Sequence, residues 1–212
     1  MDRSILAELN SLLHKMKKPS DAERYILDLE DEFDTDLRRD WEAAKRIEEK
    51  DKATTFFLLL LLALLAHFHT RAILAGIMEA QAFQTMTELP SNAGDLIAEI
   101  TGKYQQWATD FVQDIRDTSF EAQEFRLDRW GRVWGSYNEA KARSMQSTVI
   151  IDWILDDGAQ HCTQCPSLAY GGPYTTMTLP TYPGQTVCGS NCKCHLEYRQ
   201  KNRGVAQFGK SV

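Results

Sequence analysis

All the cysteines of this 212-residue chain lie between Cys162 and Cys194: Cys162, Cys165, Cys188, Cys192 and Cys194, flanked by His161 and His195. Cysteines serving a general core would be scattered, so this confinement points to a local device. Cys162-Thr163-Gln164-Cys165 has the two-residue gap that lets two thiolates of a tight turn face one ion, and the three-residue gap from Cys188 to Cys192 is also a half-site spacing. Cys194 follows at a distance of two, and along an extended chain it points the same way as Cys192. Soft thiolates in a tetrahedral set suit zinc. Four protein ligands leave no open position for a substrate, so the Zn2+ expected here is structural, with the five cysteines as its candidate ligands.

Other uses of the same residues make different demands. Disulfides would consume two pairs and leave one thiol over, but no secretory signal is read at the start of the chain to account for an oxidised protein. A redox Cys-x-x-Cys needs a strand before it and a helix after it. Pro166 and the Gly/Pro/Thr-rich residues that follow argue against that helix. His195-Leu196-Glu197 together with Cys162-x-x-Cys165 contains the pieces of a zinc deaminase signature, in reversed order. No Gly-rich phosphate loop, serine nucleophile elbow or HExxH is present. The expectation is a protein that is not an enzyme, with no catalytic residue assigned.

The elements that must position the cysteines are mostly helical. Met1 to about Lys18 reads as an amphipathic helix, with Ile5, Leu6, Leu9, Leu12, Leu13 and Met16 on one side. Pro19-Ser20-Asp21 restarts the chain, and Ser20 with Glu23 has capping-box spacing. Ile26, Leu29, Phe33, Leu37, Trp41, Ala44 and Ile47 then recur at steps of three and four, one apolar stripe on an acidic body. After a loop over 89–94, Leu96, Ile100, Tyr104, Trp107, Phe111 and Ile115 form a second stripe. Further helix is expected from about Ser119 to Met145, with breaks at Gly131 and Gly135. At Thr148–Leu155 the pattern turns β-branched and aromatic, which predicts a strand, and Asp156-Asp157-Gly158 predicts a turn. The fold class expected is mainly α. A helical N-terminal domain (1–147) carries a small Cys-rich α+β module (148–200) stabilised by zinc, followed by a basic tail (201–212).

Phe56 to Ala66 (FFLLLLLALLA) is the segment with the least polar character. Its eleven residues fall short of the ~20 of a membrane span, and His67, His69 and Arg71 follow at once, so membrane contact is not expected. A helix apolar on every side is then buried in a bundle or in an assembly; because the flanking helices show single stripes, self-association through this helix is expected. His67 and His69 lie two apart, do not share a helical face, and read as ordinary surface residues. The net charge of −6 conceals an asymmetry. Asp21–Lys50 holds 12 acids and 6 bases, whereas from Lys193 onward there are five bases and one acid, so DNA phosphate is within reach of the tail's chemistry.

The order of these features resembles a known family. A helix ending Tyr137-Asn138-Glu139-Ala140-Lys141-Ala142-Arg143 leads to a strand with Trp153 and Asp156. There follow Cys162-x-x-Cys165, Leu168, a Gly pair, Pro180 and Pro183, and Cys192-Lys193-Cys194. Residues 135–198 thereby resemble the C-terminal region of the phage head-morphogenesis proteins, the minor head proteins typified by the F protein of phage Mu. That family usually has His-Pro just before Cys-Arg-Cys. Here Cys188 stands in for the histidine from one position further upstream, and Lys193 for the arginine. The resemblance implies a virion protein, made in the host cytoplasm and placed in the head interior or at the portal vertex with portal, capsid and packaged DNA as neighbours. The alternative from another class is a zinc-module DNA-binding protein that uses its basic tail.

Overall fold

The computed structural model describes residues 19–86, 90–127, 133–187 and 192–201. The amphipathic stretch Met1–Lys18, Gly131, Cys188 and the tail beyond Lys201 lie outside the described residues. Helix α1 (Pro19–Lys45) is built on the expected stripe. Ile26, Leu29, Phe33, Leu37, Trp41 and Ala44 are all buried, at the steps of three and four that keep them on one face. Helix α2 (Lys50–Phe83) carries Phe56–Ala66 in its first half, with Asp51 in its first turn where the helix dipole favours an acid. Helix α3 (Ala93–Asp117) carries the second stripe.

Ring contacts give the packing directions. Trp41 meets Phe57 at 5.3 Å and Phe33 meets Phe68 at 5.5 Å, so α1 and α2 run antiparallel. Phe57 meets Phe111 at 6.4 Å and His69 meets Tyr104 at 3.9 Å, so α2 and α3 do too. A one-turn helix α4 (Phe120–Gln123), capped by Ser119 Oγ accepting from Ala122 N, lays Phe120 on Trp41 at 4.8 Å and closes that end of the core. A 3-10 turn follows over Glu124–Arg126. Helix α5 (Val133–Arg143) then packs along the second half of α2.

Two sequence expectations are corrected along this path. Gly135 does not break a helix; it lies inside α5. A Cβ there would meet the Tyr104 hydroxyl at 2.8 Å, so the glycine serves close approach. His69 is not a surface residue. It is wholly buried, its Nδ1 2.5 Å from Ser136 Oγ, because beyond Phe68 helix α2 is enclosed by α3 and α5 together. His67, by contrast, is exposed.

The leucine run is covered more fully than its neighbours' single stripes suggest. Phe57, Leu61 and Leu65 are fully buried and Leu58, Leu60 and Leu62 half-buried, while Leu59 remains 65% exposed and Phe56 40%. Ala63, Ala66 and His67 continue that open strip. Among the described residues, three helices around a fourth leave one side exposed. By length and composition α2 is also long and apolar enough to cross a membrane; nevertheless its buried Thr54, His69 and Gln81 lie within the helical packing.

Gly76 sets the spacing between α2 and α5. A Cβ there would run into the carbonyl oxygen of Tyr137 and stand 2.9 Å from Lys141 N, both of them backbone atoms that cannot swing aside. Gly76→Ala is therefore expected to destabilise the bundle by about 1–3 kcal/mol, seen as a fall of several degrees in Tm by circular dichroism. An unchanged Tm would refute this close approach.

The strands β1 (Val149–Ile154) and β2 (His195–Gln200) form an antiparallel ribbon with Val149 opposite Gln200 and Ile154 opposite His195. Val149 packs with Ala80 and Met145, fastening the ribbon to the helices. Glu139 adds a polar link: its buried carboxylate takes Lys103 Nζ at 2.5 Å, Arg143 at 3.0 Å and Gln185 Nε2 at 2.8 Å. Gln185 belongs to the loop that returns toward the cysteines.

Candidate metal centre

The register of the ribbon decides where the cysteines meet. Ile154, the last residue of β1, faces His195, the first of β2. The chain leaving β1 and the chain entering β2 are therefore at the same end. The exit passes the Asp156–Ala159 turn, in which Asp156 Oδ1 accepts from Gly158 N at 2.9 Å, and delivers Cys162 and Cys165. The entry supplies Cys192 and Cys194.

Cys165 opens helix α6 (Gln164–Gly171). The sequence reading placed no helix here because of Pro166. Pro166 sits in the first turn, where a backbone N–H has no acceptor within the helix, so its missing donor costs little. With β1 before it and α6 after it, Cys162-x-x-Cys165 meets the local frame of a redox pair. What sets it apart is the company of further sulfurs. Among the described residues no disulfide joins Cys162, Cys165, Cys192 and Cys194.

The sulfurs of Cys165, Cys192 and Cys194 all lie within 4.8 Å of one another, and all three side chains are buried. Cys165 Sγ is 3.9 Å from Cys192 Sγ and 3.4 Å from that of the half-buried Cys162. Zinc–sulfur bonds of ~2.3 Å at tetrahedral angles place sulfurs about 3.8 Å apart, so the spacing fits one ion. Thus three of the five predicted ligands form a buried cluster able to hold a metal ion, Cys162 adjoins it, and Cys188 lies outside the described residues.

Burial pushes the Cys165 thiol far above its ordinary value, and the neighbouring Cys162 and Cys194 thiols push it further. Burial raises Cys194 as well, while the Trp153 indole N–H acts the other way and favours the thiolate. That N–H is buried and has no hydrogen-bond partner among the described residues, so a thiolate beside it would take up an orphaned donor. Several sulfurs this close, away from water, ionise together only around a cation. The donor set therefore suits a soft divalent metal.

Around the sulfurs lies a small apolar shell of Ile151, Trp153, Leu168, Leu179 and Leu196. The loop after α6 pairs Tyr174 with Ile151 through two backbone hydrogen bonds of 2.8 and 2.9 Å. It returns through Gly184, whose φ of +89° favours glycine, to Thr186, 3.8 Å from Cys165 Sγ. His195 and Glu197 alternate with the buried Leu196 and so face away from the cluster. His161, not assigned as a ligand from the sequence, lies with Nδ1 3.6 Å from Cys194 Sγ. Comparison with known proteins returns no match to a family model, to a curated protein or to a solved structure.

Proposed function

We propose that this chain is a structural protein of a phage head, a minor head protein working with portal and capsid proteins, whose C-terminal module is stapled by zinc. The observation that carries the reading is the meeting of Cys165 with Cys192 and Cys194 at one end of the β1–β2 ribbon. The ribbon follows a helix, and its first strand bears Trp153, in the chain order of the head-morphogenesis resemblance. A closed set of soft donors stiffens a small module and performs no turnover. Held to a helical body through Glu139 and Gln185, such a module suits assembly. The open strip at Phe56, Leu59 and Ala63 offers a contact for a second copy or a portal-type partner. One strip on one helix falls short of the ~800 Å² per partner of a stable interface, so it acts beside other contacts.

Co-expressed with its cognate portal and capsid proteins, the tagged chain is expected to sediment with procapsids and to carry zinc by elemental analysis. The competing reading, a zinc-module DNA-binding protein, expects duplex binding that weakens steeply with salt. Within the described residues its basic surface is thin, since Arg199 Nε is bonded to Asp152 at 2.7 Å and Lys193 and Lys201 are left exposed. A chain absent from every particle fraction that binds duplex DNA in this salt-dependent way would replace the head-protein reading.

A further inference from the structure

The two edges of the β1–β2 ribbon end differently. On the outer edge of β1, Ile151 N–H donates to Tyr174 O at 2.9 Å and Ile151 O accepts from Tyr174 N at 2.8 Å, so the loop covers that edge. In an antiparallel pair the backbone groups of successive residues point to opposite edges. Ile151 stands opposite Tyr198, so Tyr198 turns its own N–H and carbonyl toward the far edge of β2, as do Leu196 and Gln200. Lys201 has the opposite parity, since its N–H turns inward to Thr148 O at 3.3 Å. Among the described residues, no third strand or side chain takes up the outward backbone groups of Leu196, Tyr198 and Gln200.

Such a row of N–H and C=O groups is a template for another strand, and edge charges commonly blunt it. Here the charges alternate in sign instead. Glu197 and Arg199 share the open face of β2, their side chains 65% and 60% exposed. Leu196 and Tyr198 alternate with them and pack inward, Tyr198 with Lys141 Nζ 4.8 Å from its ring. An added strand would therefore lie in the plane of the ribbon, with the helices on one face.

The charge order selects what that strand is. When two copies of β2 pair about a two-fold axis at Tyr198, Leu196 faces Gln200 of the second copy, and Glu197 faces its Arg199 on both sides of the axis. These charged residues fall in the pairs without hydrogen bonds, where side chains approach most closely. Every neighbouring axis brings like charges together. At Glu197 or Arg199 the residue meets its own copy; at Leu196, Lys193 meets Arg199; at Gln200, Arg199 meets Lys201. Phe83, 37% exposed and with its ring 6.2 Å from that of Tyr198, adds apolar surface nearby.

We propose that the far edge of β2 docks a second copy of this chain, centred on Tyr198, so that two ribbons join in one four-stranded antiparallel sheet. The contact is separate from the open strip on α2 and requires neither the head-protein reading nor the identity of a metal.

The test is sedimentation velocity over a concentration series, on the full-length chain carrying Leu59→Glu to silence the strip on α2. A dimer is expected. Gln200→Pro removes an outward N–H and no donor of the β1–β2 ladder, so it should abolish the dimer and keep the fold. Glu197→Arg or Arg199→Glu alone sets like charges opposite one another and should weaken the dimer by more than about tenfold. Mixed in equal amounts, these two variants should associate with each other, because arginine then faces glutamate at both pairs. Restoration on mixing separates a repelled edge from a damaged fold. A Leu59→Glu chain that is monomeric at every concentration overturns the inference. So does a dimer that Gln200→Pro and both charge variants leave unchanged, or a mixture of the charge variants that stays monomeric.

Discussion

Removing metal from the purified chain is expected to unfold the residues around the cysteines and to leave the helices α1, α2, α3 and α5 standing. Structural zinc supplies folding free energy directly, on the order of 10 kcal/mol. The module has little else. Its apolar shell amounts to a few side chains about Trp153 and Leu196, and so small a core rarely holds without a staple. Loss should begin at the cysteine end, over 155–187 and 192–196. Val149 belongs to the Ala80–Met145 cluster and should stay protected longest.

Hydrogen exchange with and without chelator, read beside helical circular dichroism, measures this. Bound thiolates carry no protons while unfolded thiols below ~8.5 do, so the loaded protein loses stability as pH falls. A chain with no metal by elemental analysis and two bridges by mass spectrometry would retire the centre altogether.

Glutamate at Leu61 is expected to unfold the helical body, and glutamate at Leu59 to leave it folded. Leu61 is wholly buried and Leu59 is 65% exposed, two positions apart on one helix. Truncating a buried leucine already costs about 2–5 kcal/mol, and an unpaired carboxylate adds the penalty of burying a charge. Together these approach the ~5–15 kcal/mol that stabilises a whole domain. At Leu59 the change should lie within about 0.5 kcal/mol, and its effect should be on association. Leu64 is nearly buried and Leu60 half-buried, so glutamate at that pair would mix the two effects. Thermal unfolding with sedimentation velocity separates them. If Leu61→Glu melts like wild type, the packing described for α2 is wrong. A wild-type chain that stays monomeric, without detergent and at high concentration, removes the case for self-association.

The helical body was legible because periodicity is a local property: Ile26, Leu29, Phe33, Leu37 and Trp41 announce one buried face without reference to any neighbour. The strand at 149–154 was legible from its β-branched and aromatic residues, and the cysteine cluster from residue type and spacing. The helix over Gln164–Gly171 was not, since Pro166 reads as a breaker until its place in the first turn is known. Nor was the burial of His69, which depends on α3 and α5 closing over α2 rather than on its own surroundings in the chain.

By itself, then, the amino-acid sequence determined which residues could bind a soft metal and which faces of its helices are apolar. Tertiary structure alone decided which leucines of Phe56–Ala66 stay open and which side chains reach the sulfurs. His161 and Cys194 are far apart in the chain, and they meet because antiparallel pairing sets Ile154 opposite His195. Spacing along a chain limits which donors can share an ion, but the register between two strands selects the ones that do.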